Sequence, residues 1–308
     1  MNRLPRTFLH LGFALAVGTL ALKALCPIER AEVPLCAGEC VDLDGDVLAL
    51  KRFDVPKYPD GSPRQYVSSV HVVCPNGEGA PGVVNAEISV NHPLRHKGRW
   101  IYQSSYDADA EAYTVLSVVR DPYLPIAALG GALLLAGAFL LVVREARRPG
   151  VRAGVGGRFA ALKIAIAAAL TLLPLFIVGR ALLTRELVPA LQSPFLVPHV
   201  GAYLVAYAFL FFAAFGVGVR FVPFAFFLVT CGLVLGAVWG KICWGDWWQY
   251  DPKEMWSLAT WLVYAAYFHF RGRPKAARAL LVFGAAMVVL TLTWVNFSRF
   301  FTGLHSYV

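Results

Sequence analysis

The chain has 308 residues, of which 58% are hydrophobic and only 15% charged, and its mean hydropathy is +0.59. Because soluble domains contain roughly 25% charged residues, this composition excludes an ordinary soluble protein and indicates a polytopic membrane protein. The net charge of +9 does not point to nucleic acid, since residues 27–122 contain 14 of the 19 acidic but only 9 of the 28 basic residues. The basic surplus lies in short loops beside apolar segments, where it determines membrane topology.

The first 26 residues have a basic start and an apolar run over residues 8–25. This pattern fits either a cleaved signal peptide or a retained membrane anchor. The residues before Cys26 contain no clear small-x-small cleavage site, which favours the anchor. A retained anchor places His10 within the first membrane span.

The chain divides into an anchor (1–26), a polar segment (27–122) and a membrane region (123–308). In the polar segment, alternating runs separated by Gly, Pro and Asp clusters predict a small, mostly-β domain in water. These runs cover residues 66–73, 84–90 and 113–119. Six further spans are predicted at residues 123–143, 159–179, 201–219, 221–239, 256–270 and 280–296.

The positive-inside rule orients these spans. Arginine-rich loops over residues 144–158 and 271–278 are both expected on the cytoplasmic side. Seven spans satisfy this condition with the N-terminus inside and the C-terminus outside. The predicted fold class is therefore an all-α polytopic helical bundle of about seven transmembrane helices, with a small mostly-β extracytoplasmic domain inserted after the first helix.

Residues 239–261, here called the tryptophan segment, contain six of the eight tryptophans together with several charged residues. Large flat rings with indole N–H groups, set beside charges at the end of a span, are typical of an interfacial surface that binds a flat amphipathic ligand. The predicted topology places this surface on the outer side.

Two histidines share that outer side, one before the fourth span and one after the last. They are His199 and His305. A single histidine in such a position is more often an interfacial hydrogen-bonding group. Two imidazoles beside a flat aromatic surface, however, provide what a six-coordinate haem requires, which favours axial ligation of iron.

A second pair, His10 and His269, lies at the opposite, cytoplasmic end of the spans. A histidine within a span is costly and is a functional candidate, although at a helix end it can simply reach the lipid headgroups. If both bind haem, the protein has an inner entry site in addition to the outer site.

The remaining histidines, His71, His92 and His96, fall in the polar segment and are interpreted as surface or strand-end residues, because no ligand spacing joins them. Residues 42–46 read Asp-Leu-Asp-Gly-Asp and resemble the start of a calcium loop. The required downstream acidic position is absent, so a solvated turn is expected there.

Four cysteines, Cys26, Cys36, Cys40 and Cys74, lie on the predicted outer side, where thiols are oxidised. Structural disulfides are the first expectation, and a thiol-handling role is the alternative. The spacing of Cys36 and Cys40 is too wide for a thioredoxin-type Cys-x-x-Cys motif.

Residues 244–258, WGDWWQYDPKEMWSL, resemble the tryptophan-rich "WWD" segment of the haem-handling proteins of cytochrome c biogenesis, closest to the CcsA (ResC) type. Residues 192–199 and 303–307 resemble that family's two outer haem-ligating segments, and residues 264–269 resemble its histidine-bearing span. Residues 86–106 resemble part of the partner protein, of the CcsB (ResB) type. The chain thus resembles a shortened CcsB/ResB-like portion fused to a CcsA-type core.

This resemblance implies that the chain binds haem b, moves it to the outer face and presents it for thioether attachment to the Cys-x-x-Cys-His motif of apocytochrome c. His199 and His305 would ligate the iron outside, and His10 and His269 would form the inner site. Lys253 would meet a haem propionate. The other residues implied to contact haem are Trp244, Trp247, Trp248, Trp256, Asp251 and Glu254. The chain would be a component of a haem lyase or synthase, with no catalytic residue assigned.

Two departures from the family pattern affect the expected partners. Tyr250 stands where the family usually has Trp, and the ResB-like portion is short. A separate full CcsB/ResB-type partner and thiol-reducing proteins are therefore candidate partners beside apocytochrome c. The expected location is the bacterial cytoplasmic membrane.

Two other functions stay open on the sequence. One is a non-enzymatic haem exporter or chaperone that passes haem to a separate ligase. The other is a b-type electron-transfer subunit, which predicts ligands in mid-helix, whereas His199 and His305 lie at loop junctions.

Overall fold

The computed structural model describes residues 3–75, 82–109, 111–147 and 186–292. The predicted span at 159–179, the end of the last predicted span and His305 lie outside these residues. The helices are α1 (Leu4–Leu25), α2 (Leu124–Ala146), α3 (Leu196–Ala214), α4 (Val222–Trp244), α5 (Pro252–Phe270) and α6 (Pro274–Leu292). Short 3₁₀ turns at Pro189–Leu191 and Val219–Phe221 precede α3 and α4.

Among the described residues, five helices are long and apolar enough to cross a membrane: α1, α2, α3, α4 with its preceding turn, and α6. α5 occupies the predicted span at 256–270 but is outside this group. Its charged first turn and its aromatic residues lower its hydropathy. The chain is thus a polytopic helical membrane protein with a β region, and the count of seven spans and their orientation stay predictions.

Between α1 and α2, the described residues form eight strands. They are β1 (Glu29–Cys36), β2 (Cys40–Leu43), β3 (Asp46–Asp54), β4 (Val67–Cys74), β5 (Gly82–Ser89), β6 (Leu94–His96), β7 (Arg99–Tyr106) and β8 (Tyr113–Arg120). All the strand pairs are antiparallel, in two four-stranded sheets with the orders β1-β8-β7-β6 and β2-β3-β4-β5. β4, β5 and β8 lie on the three alternating runs seen in the sequence. We call this unit the β domain.

The two sheets share one core, because every second residue of their strands points inward. Leu48 and Val70 from one sheet and Ile101 and Leu116 from the other are almost completely buried in the same cluster. Three buried polar side chains are paired with one another: the Ser68 hydroxyl donates to Gln103 at 2.7 Å, and the Gln103 amide donates to Thr114 at 2.8 Å. The β domain is therefore a sandwich.

All six cysteines lie within the described residues and all are free thiols. The expectation of structural disulfides among the outer cysteines is therefore wrong for this structure. Cys36 and Cys40 are exposed on either side of the turn from β1 to β2, and Cys74 is half-buried at the end of β4. The hydrophobic core and the strand hydrogen bonds hold the sandwich together without cross-links.

α1 packs directly against α2 through glycines, which allow two helix backbones to approach closely. A Cβ atom at Gly12 would lie 2.8 Å from the Leu134 backbone nitrogen, and one at Gly137 would lie 2.8 Å from that of Leu9. Further along α1, the Phe13 ring stacks with its centroid 5.6 Å from that of Trp261 on α5. α1 is thus an integral member of the bundle.

Gly12→Leu should separate these helices and lower the thermal unfolding temperature of the purified protein in detergent. Because the added atoms would meet backbone, we expect a destabilisation of about 1–3 kcal/mol. Gly18→Leu is the matched control on the same helix, because a Cβ there meets nothing within 4 Å among the described residues. Equal unfolding temperatures for the two variants would contradict this packing.

Candidate functional site

The tryptophan segment forms the end of α4, a tight loop and the start of α5. Gly245, with φ +81°, closes α4 in the left-handed conformation. Asp251 caps α5, since its carboxylate accepts from the Lys253 backbone N–H at 2.9 Å and Glu254 accepts from the Asp251 N–H at 3.2 Å. The two acids thus form a capping box, a structural role that the sequence resemblance did not indicate.

The indole rings of the tryptophan segment lie at different depths. Trp239 is only 3% exposed and stacks with its centroid 6.4 Å from Trp244. Trp247 and Trp248 follow in the loop, and both are half-buried. Within the described part of the chain, the buried indole N–H of Trp247 makes no hydrogen bond.

His199 lies in the first turn of α3 and is oriented by α4. Its Nδ1 donates to the Gly232 carbonyl at 2.9 Å, and in this tautomer the lone pair is on Nε2. The ring fits against Gly236, where a Cβ would lie only 2.7 Å from Cε1. Its edges contact Tyr203 and Trp239, with centroids 5.2 and 5.8 Å away. The half-buried imidazole is therefore held in one orientation.

A cavity of about 200 Å³ lies beside His199. It brings together four residues that the sequence assigned to the site: His199, Trp248, Lys253 and Glu254. Ligand pockets commonly measure about 300–1,000 Å³, so a large flat ligand could be enclosed here only in part. The hydroxyl groups of Tyr203, Tyr207 and Ser257 add polar character to the lining.

The other predicted outer-site residues are distributed differently. Trp247 lines a second cavity, described in the next paragraph. Among the described residues, Trp244 and Trp256 line neither that cavity nor the one beside His199. His305 lies beyond the described residues, so its distance from His199 is not defined. Tyr250, in the left-handed conformation at φ +57°, is 60% exposed at the tip of the loop.

The second cavity, of about 370 Å³, lies among α1, α2, α4 and α5. Its walls are almost wholly apolar. Trp247, Trp248 and Trp261 line it, and Phe13 on α1 lies one helical turn from His10. An apolar space therefore extends from the tryptophan loop towards the inner histidines.

His10 and His269 are adjacent, with their Nε2 atoms 3.4 Å apart and their rings at 87°. Each Nδ1 donates to the carbonyl four residues earlier, at 2.6 Å for Arg6 and 2.9 Å for Ala265. The two Nε2 atoms therefore face each other. With bonds of about 2.0–2.1 Å, two imidazoles on opposite sides of one metal ion are ~4 Å apart, so a small opening would admit an ion.

The β domain docks on the chain just before His199 through Asn91. Its amide nitrogen donates to the carbonyls of Pro189, Ala190 and Gln192 at 3.0–3.1 Å, and its oxygen accepts from the Trp239 indole at 3.2 Å. Sequence reasoning missed Asn91. The available sequence signal was that Asn91 begins the Asn-His-Pro motif of the ResB-like stretch. In the structure, Asn91 adopts φ +69° in a turn.

Ion pairs form a second connection. Lys241 of α4 binds Asp121 at 2.7 Å, and the two side chains are only 4% and 1% exposed. Lys241 also donates to the Gly245 carbonyl at 3.1 Å. Lys23 of α1 binds Asp246 in the tryptophan loop. Sequence reasoning missed all of these pairs, although a lysine near the end of an apolar run is itself a signal.

Tyr102 of β7 packs on the turn at Gly245, where a Cβ would lie 3.0 Å from its ring. Burial, opposed by the Arg30 guanidinium, raises the pKa of the Tyr102 hydroxyl well above its usual value. Arg30 itself donates to the Trp244 carbonyl at 3.3 Å. The β domain therefore fixes the backbone of the tryptophan loop as well as the approach to His199.

Comparison with known proteins gives two family matches on this chain. Residues 217–305 match the family model described as cytochrome C assembly protein, and residues 30–112 match the ResB-like family. The first match contains the whole tryptophan segment, His269 and His305, while His199 lies before it. The second covers most of the β domain.

Curated relatives include cytochrome c biogenesis proteins CcsA from cyanobacteria. The protein from Prochlorococcus marinus (strain MIT 9303) is 43% identical over 90 residues, and that from Synechococcus sp. (strain WH7803) is 41% identical over 90 residues. Each match covers 29% of this chain and 28% of the relative, so the shared part is under a third of either protein. The chain therefore contains a segment similar to the ResB-like family, followed by a segment similar to the CcsA-type cytochrome c assembly family.

Proposed function

We propose that this protein takes part in cytochrome c maturation by binding haem b as its cargo and presenting it at the outer face of the bacterial cytoplasmic membrane. The single observation that carries the proposal is the setting of His199. Its imidazole is oriented by the Gly232 carbonyl and lies in one cavity with Trp248 and Lys253. An oriented imidazole, an aromatic face and a cation match the iron, the ring and a propionate of haem.

In this proposal His199 and His305 ligate the iron on its two faces. Lys253 meets a propionate, and the tryptophans contact the macrocycle, namely Trp244, Trp247, Trp248 and Trp256. Because Asp251 and Glu254 cap α5, they act by fixing the helix that presents Lys253. The cavity is too small to enclose a porphyrin fully, which leaves an edge open to a second protein.

The acceptor is apocytochrome c with a Cys-x-x-Cys-His motif. Each thiol adds across one haem vinyl group: a carbon–sulfur bond forms, the thiol hydrogen passes to the other vinyl carbon, and no electrons are gained or lost. The protein supplies position rather than a catalytic group, by holding the vinyl edge outward. Thiol-reducing proteins and a full CcsB/ResB-type protein are the further partners of this proposal.

Delivery from the inner side would use His10 and His269. Their facing Nε2 atoms and the apolar cavity between them and the tryptophan loop support such a route. Replacing both by Ala should reduce the haem bound at the outer site, measured as haem per protein after purification. The control is the double variant His71→Ala, His92→Ala. Equal haem content in the unchanged protein, in this control and in the His10→Ala, His269→Ala variant would rule out the route.

A haem exporter or chaperone is the alternative, because the same outer site could release haem to a separate ligase. An electron-transfer subunit is less well supported, since His199 lies in the first turn of α3 rather than in mid-helix. Co-expression with an apocytochrome c, in a host that lacks its own maturation system, separates these functions.

The proposed ligation predicts haem on the acceptor that resists acid-acetone extraction, and none on an acceptor with both motif cysteines changed to Ser. The alternative outcome is that this protein binds haem but the acceptor carries no covalent haem, even when a full CcsB/ResB-type partner is supplied. That outcome would favour the exporter.

A further inference from the structure

Three side chains of metal-ligating type meet in the β domain, away from the site described above. They are Asp46 at the start of β3, Cys74 at the end of β4 and His96 at the end of β6. One ligand atom from each lies within 4.8 Å of the other two. Because β6 belongs to one sheet and β3 and β4 to the other, the cluster joins the two layers of the sandwich.

The cluster is shielded from water. The Asp46 side chain is only 3% exposed and that of His96 17%, while Cys74 is half-buried. His96 Nε2 lies 2.6 Å from an Asp46 carboxylate oxygen. The Lys97 ammonium contacts the same carboxylate at 2.7 and 2.9 Å, although its own side chain is 65% exposed. The buried carboxylate is thus balanced by a cation that can move into water.

We propose that Asp46, Cys74 and His96 bind a divalent cation of the zinc class. Thiolate, imidazole and carboxylate together are typical zinc ligands, whereas Ca²⁺ and Mg²⁺ prefer oxygen atoms alone. On binding, Cys74 loses its proton, the hydrogen that His96 Nε2 shares with Asp46 moves to Nδ1 or to solvent, and Lys97 leaves the carboxylate. The dication then neutralises one thiolate and one carboxylate. A water molecule completes the three protein ligands.

The required movement is small. Bonds of about 2.0–2.3 Å in a tetrahedron place neighbouring ligand atoms ~3.3–3.8 Å apart. The Cys74 sulfur therefore has to approach by at most ~1.5 Å, while the 2.6 Å pair of His96 and Asp46 opens by ~0.7 Å. Rotation of the Cys74 and His96 side chains can supply this change, because strand pairing already fixes their backbones. Val47 pairs with Val73, which sets Asp46 beside Cys74.

The test uses Co²⁺ as the probe, added to the full chain purified in detergent under reducing conditions. We expect a thiolate-to-cobalt charge-transfer band that Zn²⁺ abolishes by competition. The band should be lost in Cys74→Ser and reduced in His96→Gln, and it should persist in Cys36→Ser and His71→Gln. Absence of the band in the unchanged protein, or its persistence in Cys74→Ser, would overturn the proposal. Because haem-ligating histidines give no thiolate band, this outcome is independent of the proposed function.

Lys97→Met provides the second measurement. It removes the competing ammonium, so Co²⁺ should bind at least about threefold more tightly, whereas Arg95→Met should leave the affinity unchanged. If Lys97→Met binds Co²⁺ no more tightly than the unchanged protein does, the cluster is only an ion-pair network of the sandwich.

Discussion

Replacing Lys241 by Met should lower the free energy of unfolding by about 3–5 kcal/mol, because it leaves the Asp121 carboxylate buried without a cation. Both side chains are almost completely buried, and the ammonium also binds the backbone of the tryptophan loop. The same variant should therefore bind less haem at the outer site. Denaturant unfolding in detergent and haem content after purification measure the two effects.

Arg120→Gln is the matched control, one residue before Asp121. Its pair with Glu29 is 3.9 Å long, and the two side chains are 62% and 71% exposed, so its loss should cost under about 1 kcal/mol. Adding Asp121→Asn to Lys241→Met should recover part of the stability, since the uncompensated charge is then gone. Equal stability of Lys241→Met and Arg120→Gln would contradict the role assigned to this pair.

Gly236→Ala should disturb the outer site without changing any residue proposed to touch haem. The new methyl group would lie 2.7 Å from Cε1 of His199 and 3.0 Å from its Nδ1, so the ring must turn away from the Gly232 carbonyl. We expect a cost on the order of 1–3 kcal/mol and weaker ligation through His199. Absorption spectra of the haem-loaded protein in the oxidised and reduced states measure the ligation.

Gly131→Ala is the control for this substitution. A Cβ at Gly131 would meet Val234 at 3.5 Å, an ordinary contact, so its spectrum should match that of the unchanged protein. Identical spectra for Gly236→Ala and the unchanged protein would mean that the iron is not held by His199 in the orientation that α4 imposes.

Local patterns in the sequence predicted the described helices and three of the eight described strands. Apolar runs identified all six described helices, α5 included, and alternation identified β4, β5 and β8, because both signals depend on neighbouring residues. The basic residues beside the predicted spans also predicted that His10 and His269 lie on the same side of the bundle. Their contact at 3.4 Å, however, requires α1 and α5 to be neighbours, which no local pattern specifies.

The sequence could not predict contacts between distant elements. Asn91 bonding to Trp239 and Lys241 pairing with Asp121 each join residues more than 100 positions apart. Asp251 and Glu254 form a capping box, whose spacing is a local signal, and their assignment to the haem site stays a prediction. The expected disulfides were inferred from the compartment rather than from geometry.

The most direct test of haem handling is the absorption spectrum of the intact protein, purified from cells supplied with haem during expression. The proposal predicts a low-spin b-type spectrum that His199→Ala weakens or converts to a different ligation state. A colourless protein under these conditions, or a spectrum unchanged by His199→Ala, would contradict haem binding at the outer site.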